Sequence, residues 1–595
     1  MKRKLLSVLL MLCLAFSLLP TAALAEGEEG SQVEGGGQTT YVAEIVDGEK
    51  YATLQEAVNA AKDGDTITLL GDVTTKATIP AEKTITIDLN GKTLKHEGQV
   101  LDIYGNLTIK HGTVELSSGN AKAAIWLNKT AKLTVESDAT VSVPTSNFAI
   151  GLWSDCTAAE LMVKGTLKGG NGLTVNGNIV TLGNKVTVDG ATIESEGHGI
   201  YQAGVSDIIV KNANIKGSTA IEVRAGKMTV ESGTFTATAT EYKCDPNGDG
   251  TTTEGAALAI AQHTTKKDIG VTINGGTFNG IKALNESNPQ NNDPAPQVDL
   301  KVTDGTFNGD VSITDDKNTS ISGGTFTSDV SAYVPNGYIQ NENGAVETLG
   351  ETNAVAKVGD TYYKTLAAAV TAAKDGNTVK ILRDVNTAER HDVVGKKLIL
   401  DLNGQTITTT IAEQFMNIRG GGKLTVTDNS ASKDGKIISP TGDYIFMVFK
   451  GELDFQAGTV DARGYWQYDN NGTTEYYGNT IVLVYGDTND TENYATVTLG
   501  ENANLIATTK AVDEMPVGEA YAIMVDKNKA ESAYGVKVDI KGTTEHAGLY
   551  VNGVVKKTEG NVPVFNIYDG AVVDGQIYSA GYAKWNIYGG KITGS

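Results

Sequence analysis

The chain has 595 residues, with 71 Asp and Glu against 49 Lys and Arg and a net charge of −22. So acidic a surface argues against nucleic acid and anionic lipid as partners, because affinity for both comes mainly from Lys and Arg charge. With 69 Gly, 11 Pro and 11 Phe, the composition points to a few elongated domains and away from several compact ones.

Residues 1–25 read as an export signal. Lys2, Arg3 and Lys4 form a basic head, Leu5 to Leu19 an apolar run, and Ala23-Leu24-Ala25 a small-residue cleavage pattern before Glu26. Losing those three basic residues takes the basic count from 49 to 46 against 71 acids, a net −25. Cys13 leaves with the signal. The expected location is secreted, extracellular or cell-surface associated, with no membrane insertion of the mature chain. Residues 26–40, acidic and Gly-rich, read as a disordered leader.

The stretch from Tyr51 to Val73 returns from Tyr363 to Val385, with 14 of 23 positions identical. In the first copy Thr53 and Glu56 have capping-box spacing. Leu54, Ala57, Val58 and Ala61 share one helical face, and Gly64 stands where a helix ends. The second copy keeps Thr365, Leu366, Ala369, Val370, Ala373 and Gly376, with Ala368 in place of the box glutamate. Both predict a short amphipathic helix followed by a strand. The copies continue into "ITIDLNGKTL" and "LILDLNGQTI", where Asn90-Gly91 and Asn403-Gly404 are expected to turn sharply.

Between them a short unit recurs: "LTIKHGTV" at Leu107, then similar units at Leu133, Leu161, Val186, Ile208, Met228, Val271, Leu300 and Thr319. The first six starts are 26, 28, 25, 22 and 20 residues apart, which is a repeat period. Each unit alternates apolar and polar residues and then breaks at Gly, Asn or Asp. That pattern predicts a strand with one buried face and a turn. Such a strand buries a core only by stacking on the next coil, about 4.8 Å away. The expected fold is all-β: two tandem right-handed parallel β-helices (β-solenoids), each with a short N-terminal capping α-helix. The domains are expected at 41–345 and 354–595, with a linker at 346–353. The sequence stops at "WNIYGGKITGS" in mid-coil pattern, and the second domain is read as truncated, the natural polypeptide continuing.

At "TLQEAVNAAKDGDTITLLGDV … IDLNGKTL" and at "GGTFTSDVSAYVPNGY" (Gly323 to Tyr338) the chain resembles the pectin-lyase-like parallel β-helix superfamily. Within it, the likeness is to large surface proteins of Gram-positive anaerobic bacteria, and it covers Tyr41 to Ser595. It implies the fold; the superfamily includes lyases, glycosidases, tailspikes and adhesins. Polygalacturonase-type members use aspartates near a Gly-His-Gly, as at Gly197-His198-Gly199, but the partner motifs are missing at matching positions. The same slot elsewhere reads "GNGLTV" or "STAIEV". His198 is therefore read as an ordinary coil residue, and no catalytic residue is assigned.

Two insertions carry the binding expectations. In "CDPNGDGTTTEG" from Cys244, Asp245, Asn247 and Asp249 follow the first half of a calcium loop, with Glu254 two residues early for the closing ligand. No cofactor is required; calcium is the candidate ion, and a polar hairpin without metal the alternative. From Asp461 to Asn479, Tyr465, Trp466, Tyr468, Asp469, Tyr476 and Tyr477 are candidates for stacking on and hydrogen-bonding to sugars, or for packing the loop down. Cys156 and Cys244 are expected to stand roughly 19 Å apart, too far for a disulfide. The function expected is a non-catalytic rod that binds extracellular glycans or host or bacterial surface proteins. Its rivals are a polysaccharide lyase or glycoside hydrolase, and a passive spacer.

Overall fold

Each recurring unit becomes one strand of a single sheet. In the computed structural model, which describes residues 40–46, 48–247, 250–411, 413–440, 444–470, 472–507, 517–518, 520–527, 532–554 and 560–593, the nine units pair in parallel in chain order within a thirteen-stranded sheet. Register stacks Leu107, Leu133, Leu161, Val186, Ile208, Met228, Val271 and Leu300 into one column, and every member is buried. Alternation puts these side chains inside the tube and their neighbours outside. Burying apolar area, at about 25 cal/mol per Å², is what holds one coil on the next.

A coil has three sides. In one, Lys185–Asp189 forms the first, Thr192–Ser195 the second and His198–Gln202 the third, before Asp207–Lys211 opens the next coil. The corner after the first side needs a left-handed residue, supplied for example by Asn90 (φ 50°) and Asn212 (φ 52°), a conformation asparagine tolerates. The recurrent Gly-Thr-Phe gives this motif a second use. Phe235, Phe278, Phe307 and Phe326 stack inside the tube with centroids 4.8, 4.7 and 4.5 Å apart. Gly276, at φ 108°, lies so close that a Cβ there would sit 2.9 Å from the Phe235 ring. Outside, ion pairs link neighbouring coils, as in Lys110–Asp88 (3.3 Å), Lys132–Glu160 (3.1 Å), Lys164–Glu136 (3.1 Å) and Lys211–Asp189 (3.4 Å). Exposed pairs add little stability, but alternating sign penalises stacking out of register.

Both tubes open alike. The helix Leu54–Ala60 (α1) buries Leu54, Ala57 and Val58, and Thr53 and Glu56 form the full capping box. In Leu366–Ala372 (α2), Thr365 caps the Ala368 amide without a carboxylate in return. Gly64 does not end α1: Ala61 is the C-cap (φ −57°, ψ 140°), and Gly64 (φ 89°) serves the following turn. The helices are half of each lid. Ala43–Ile45 pairs antiparallel with both Lys50–Tyr51 and Thr66–Leu69, and Ala356–Val358 does the same with Thr361–Tyr363 and Asn377–Ile381. These antiparallel edges occupy the first coil's open hydrogen-bonding groups.

One buried apolar cluster runs from Ala43 to Val346 and another from Ala356 to Val573. The first tube closes with the turn Ser331–Tyr333 and the hairpin of Tyr338–Gln340 and Val346–Thr348, burying Val330, Val334 and Val346. In the second tube a seven-stranded parallel sheet from His391–Val394 to Ile577–Ser579 forms the third side. The architecture is two tandem parallel β-helices. No helix among the described residues is long and apolar enough to cross a membrane.

Candidate functional site

The third side of the first tube carries an unusual outer face. Its outward column, read through the parallel register, runs Asp102, Trp126, Gly151, Thr174, Tyr201 and Glu222. Trp126 fills the space above Gly151, where an added Cβ would meet the indole at 2.3 Å. Trp153, 44% exposed, stands edge-on to it with centroids 4.9 Å apart. Asn128 donates to Asp102 at 2.6 Å beside this pair. Three coils along the column, Tyr201 stacks against Phe148 (6.3 Å) and meets the His198 ring edge-on (5.2 Å).

Behind these rings lies a buried charge network. His198 Nε2 is 2.7 Å from Glu222 Oε2, which also accepts from the Thr253 amide and hydroxyl, both at 3.1 Å. Arg224 Nη1 donates to the Tyr201 hydroxyl at 2.6 Å, and its Nε is 3.7 Å from Glu222 Oε1. Glu222 and Arg224 are both fully buried, whereas the His198 side chain keeps 13% of its exposure. Charges this deep persist only when paired, and removing one partner leaves the other stranded. Thr253 comes from the insertion between repeats, so that insertion roofs the network. A cleft of about 470 Å³ lined by Lys168, Glu194, Glu196 and Lys216 opens on the adjoining second side. Glu196 lies two residues before His198 in the chain.

The predicted site residues fall elsewhere. The calcium-like insertion is an antiparallel hairpin, Lys243–Asn247 with Gly250–Glu254. Asp245 is exposed on it, and Glu254 lies 3.4 Å from Lys243 across the ladder. The Asn247 side chain and Asp249 lie outside the described residues. No group of three or more metal-ligating side chains occurs among the described residues. The aromatic insertion is also a hairpin, Tyr465–Asn470 with Thr473–Gly478, joined by Val517–Gly518. Tyr476 and Tyr477 are half-buried and, as strand neighbours, point to opposite faces. The side chains of Tyr465, Trp466, Tyr468 and Asp469 lie outside the described residues. Among the described residues, Cys156 and Cys244 are both free. Burial pushes the Cys156 thiol up to about 12, an inert structural thiol.

His198 opens a regular strand of the coil and in addition meets Glu222, and the sequence holds part of the clue. Laying "GHGIYQ" over "STAIEV" places Tyr201 on Glu222, so one outward slot holds a ring and then a carboxylate, with Arg224 two residues on. What the pattern does not reveal is that the insertion folds back to bury them.

No protein-family model matches the chain, and no curated protein matches it. Among solved structures it is similar to that of a PL6 family alginate lyase, AlyGC, over 90% of this chain and 98% of that one, at 11% identity and a TM-score of 0.27. A likeness of that size does not bear on which residues act.

Proposed function

We propose that the protein is a secreted or surface-displayed rod of the pectin-lyase-like type that binds extracellular glycan along the third side of its first tube. One observation carries this reading: aromatic rings at Trp126, Trp153, Phe148 and Tyr201 line one outer side, with the small residues Gly151 and Thr174 between them in the column. Sugars bind by stacking apolar ring faces on aromatic side chains while neighbouring amides and imidazoles bind hydroxyls. His198, edge-on to Tyr201 with 13% of its side chain exposed, stands in that supporting position. Affinity electrophoresis through gels holding neutral and acidic polysaccharides tests it. At least one polysaccharide is expected to retard the protein, and Trp153→Ala to abolish the retardation; an unretarded wild type would reject the reading.

A second reading, a polysaccharide-cleaving enzyme, is favoured by one specific feature. Glu222 holds His198 by Nε2, as an orienting carboxylate holds a general base, and Arg224 and Tyr201 adjoin. If this reading holds, reducing ends accumulate from a retarding polysaccharide and His198→Ala stops their release. Retardation without new reducing ends selects the binding reading.

A further inference from the structure

The cleft on the second side of the first tube holds charges that the protein leaves unmatched. Through the parallel register Ser142, Lys168, Glu194 and Lys216 form one column, each on the coil after the last. Lys168, Glu194 and Lys216 are exposed and line the cleft of about 470 Å³ together with Glu196. Elsewhere on this tube unlike charges on adjacent coils close into pairs, as Lys132 meets Glu160 and Lys164 meets Glu136, both at 3.1 Å. Among the described residues Lys168, Glu194 and Lys216 make no such pair, although their signs alternate along the column. Glu196 accepts only the Thr145 hydroxyl, at 2.8 Å. Ser195 lines the cleft as well; it is 9% exposed, and its Oγ has no hydrogen-bond partner among the described residues.

The cleft shares a corner with the aromatic rings. Glu196 precedes His198 by two residues, and Thr145 precedes Phe148 by three. Phe148 in turn stacks on Tyr201, which His198 meets edge-on. We propose that the cleft selects a zwitterionic glycan, one carrying ammonium and carboxylate groups on the same chain. The proposal rests on the glycan-binding reading of the third side, whose rings hold the sugar backbone while its substituents enter the cleft. A polyanion would satisfy Lys168 and Lys216 but press like charge on Glu194 between them and on Glu196. A polycation meets the reverse conflict, and a neutral chain leaves all four charges unused. A chain bearing both signs places carboxylates at the lysines and ammonium groups at the glutamates, on coils about 4.8 Å apart.

Affinity electrophoresis of the full chain through one sugar backbone in four charge states tests this. The polymers are glycol chitin (neutral), carboxymethyl chitin (carboxylates), glycol chitosan (ammonium groups) and carboxymethyl chitosan (both), run at physiological ionic strength to screen the net charge of −22. Carboxymethyl chitosan is expected to bind tightest, by about tenfold over glycol chitin. Lys216→Glu should remove its advantage over glycol chitosan, and Glu194→Lys should turn the preference toward carboxymethyl chitin. Lys301→Glu, the same charge change at an exposed position on the first side, should leave the order of the four as in the wild type. Equal retardation by glycol chitin and carboxymethyl chitosan, or an order that Lys216→Glu shares with Lys301→Glu, overturns the proposal and leaves the glycan reading standing. Retardation by none of the four overturns the proposal, and Trp153→Ala retarded like the wild type strikes the reading beneath it.

Discussion

On the third side of the first tube the outward column reads Asp102, Trp126, Gly151, Thr174, Tyr201 and Glu222. The corresponding side of the second tube reads Asn417, Met447, Leu483, Met524, Tyr550 and Tyr578. In the second column Tyr550 and Tyr578 lie nearly parallel with centroids 5.4 Å apart, and Tyr521 packs on Tyr550 at 5.1 Å. Rings stacked coil on coil spend their faces on each other. In the first column Gly151 and Thr174 separate the rings, and Trp153, 44% exposed beside Trp126, keeps aromatic surface open to something other than protein. The lesson is that aromatic residues at consecutive coils of one column pair with each other, and rings kept apart by small residues leave a surface.

The lids differ in a smaller but useful way. Where the first tube has Ala77 at the start of the third side, the second has His391; each pairs with the next coil, at Leu101 and Met416. His391 is buried, its Nε2 has no hydrogen-bond partner among the described residues, and its ring meets Phe415 edge-on at 5.3 Å. Burial pushes its pKa below the usual 6.5.

The largest expected effect breaks the internal four-phenylalanine stack of the first tube. Phe278→Ala removes the second ring of the four-ring stack and leaves a cavity, at a cost of about 3–5 kcal/mol. Urea unfolding should show an early transition for the first tube with the second tube's transition unmoved. Next is acid. A histidine with a depressed folded pKa contributes stability that is fully present above its unfolded value and is lost as pH falls through the folded value. The second tube should therefore lose stability as pH drops below 6.5, and His391→Leu should flatten that dependence in thermal melts across the range. The smallest effect sharpens the lid comparison. Thr53→Ala breaks a reciprocal capping box and should cost about 1 kcal/mol, whereas Thr365→Ala removes one capping bond and should cost less. Paired melts of the two variants check the order.

Much of the fold was legible because stacking demands it. The period of the nine units, the Asn90 and Asn403 turns and the two helix openings each follow from local pattern and recur where expected. The antiparallel half of each lid was not, since Ala43–Ile45 and Ala356–Val358 are too short to carry a periodic signal. The outer face was half legible. Glu222 and Arg224 show their spacing in the sequence, but their burial comes from Thr253, 31 residues after Glu222. Phe148 and Tyr201 meet only because the strand Ala139–Leu152 bends between two sides, with a register shift between Val143 and Phe148. Local alternation cannot announce such a bend.

The central claim, that ligand lies on the interrupted aromatic side and not on the ladder or the hairpin, is tested by affinity electrophoresis of three variants on one retarding polysaccharide. Trp153→Ala should lose retardation, while Tyr578→Ala and Tyr477→Ala keep it. Retention by Trp153→Ala together with loss in Tyr477→Ala would contradict the account and move the binding surface to the second tube's hairpin.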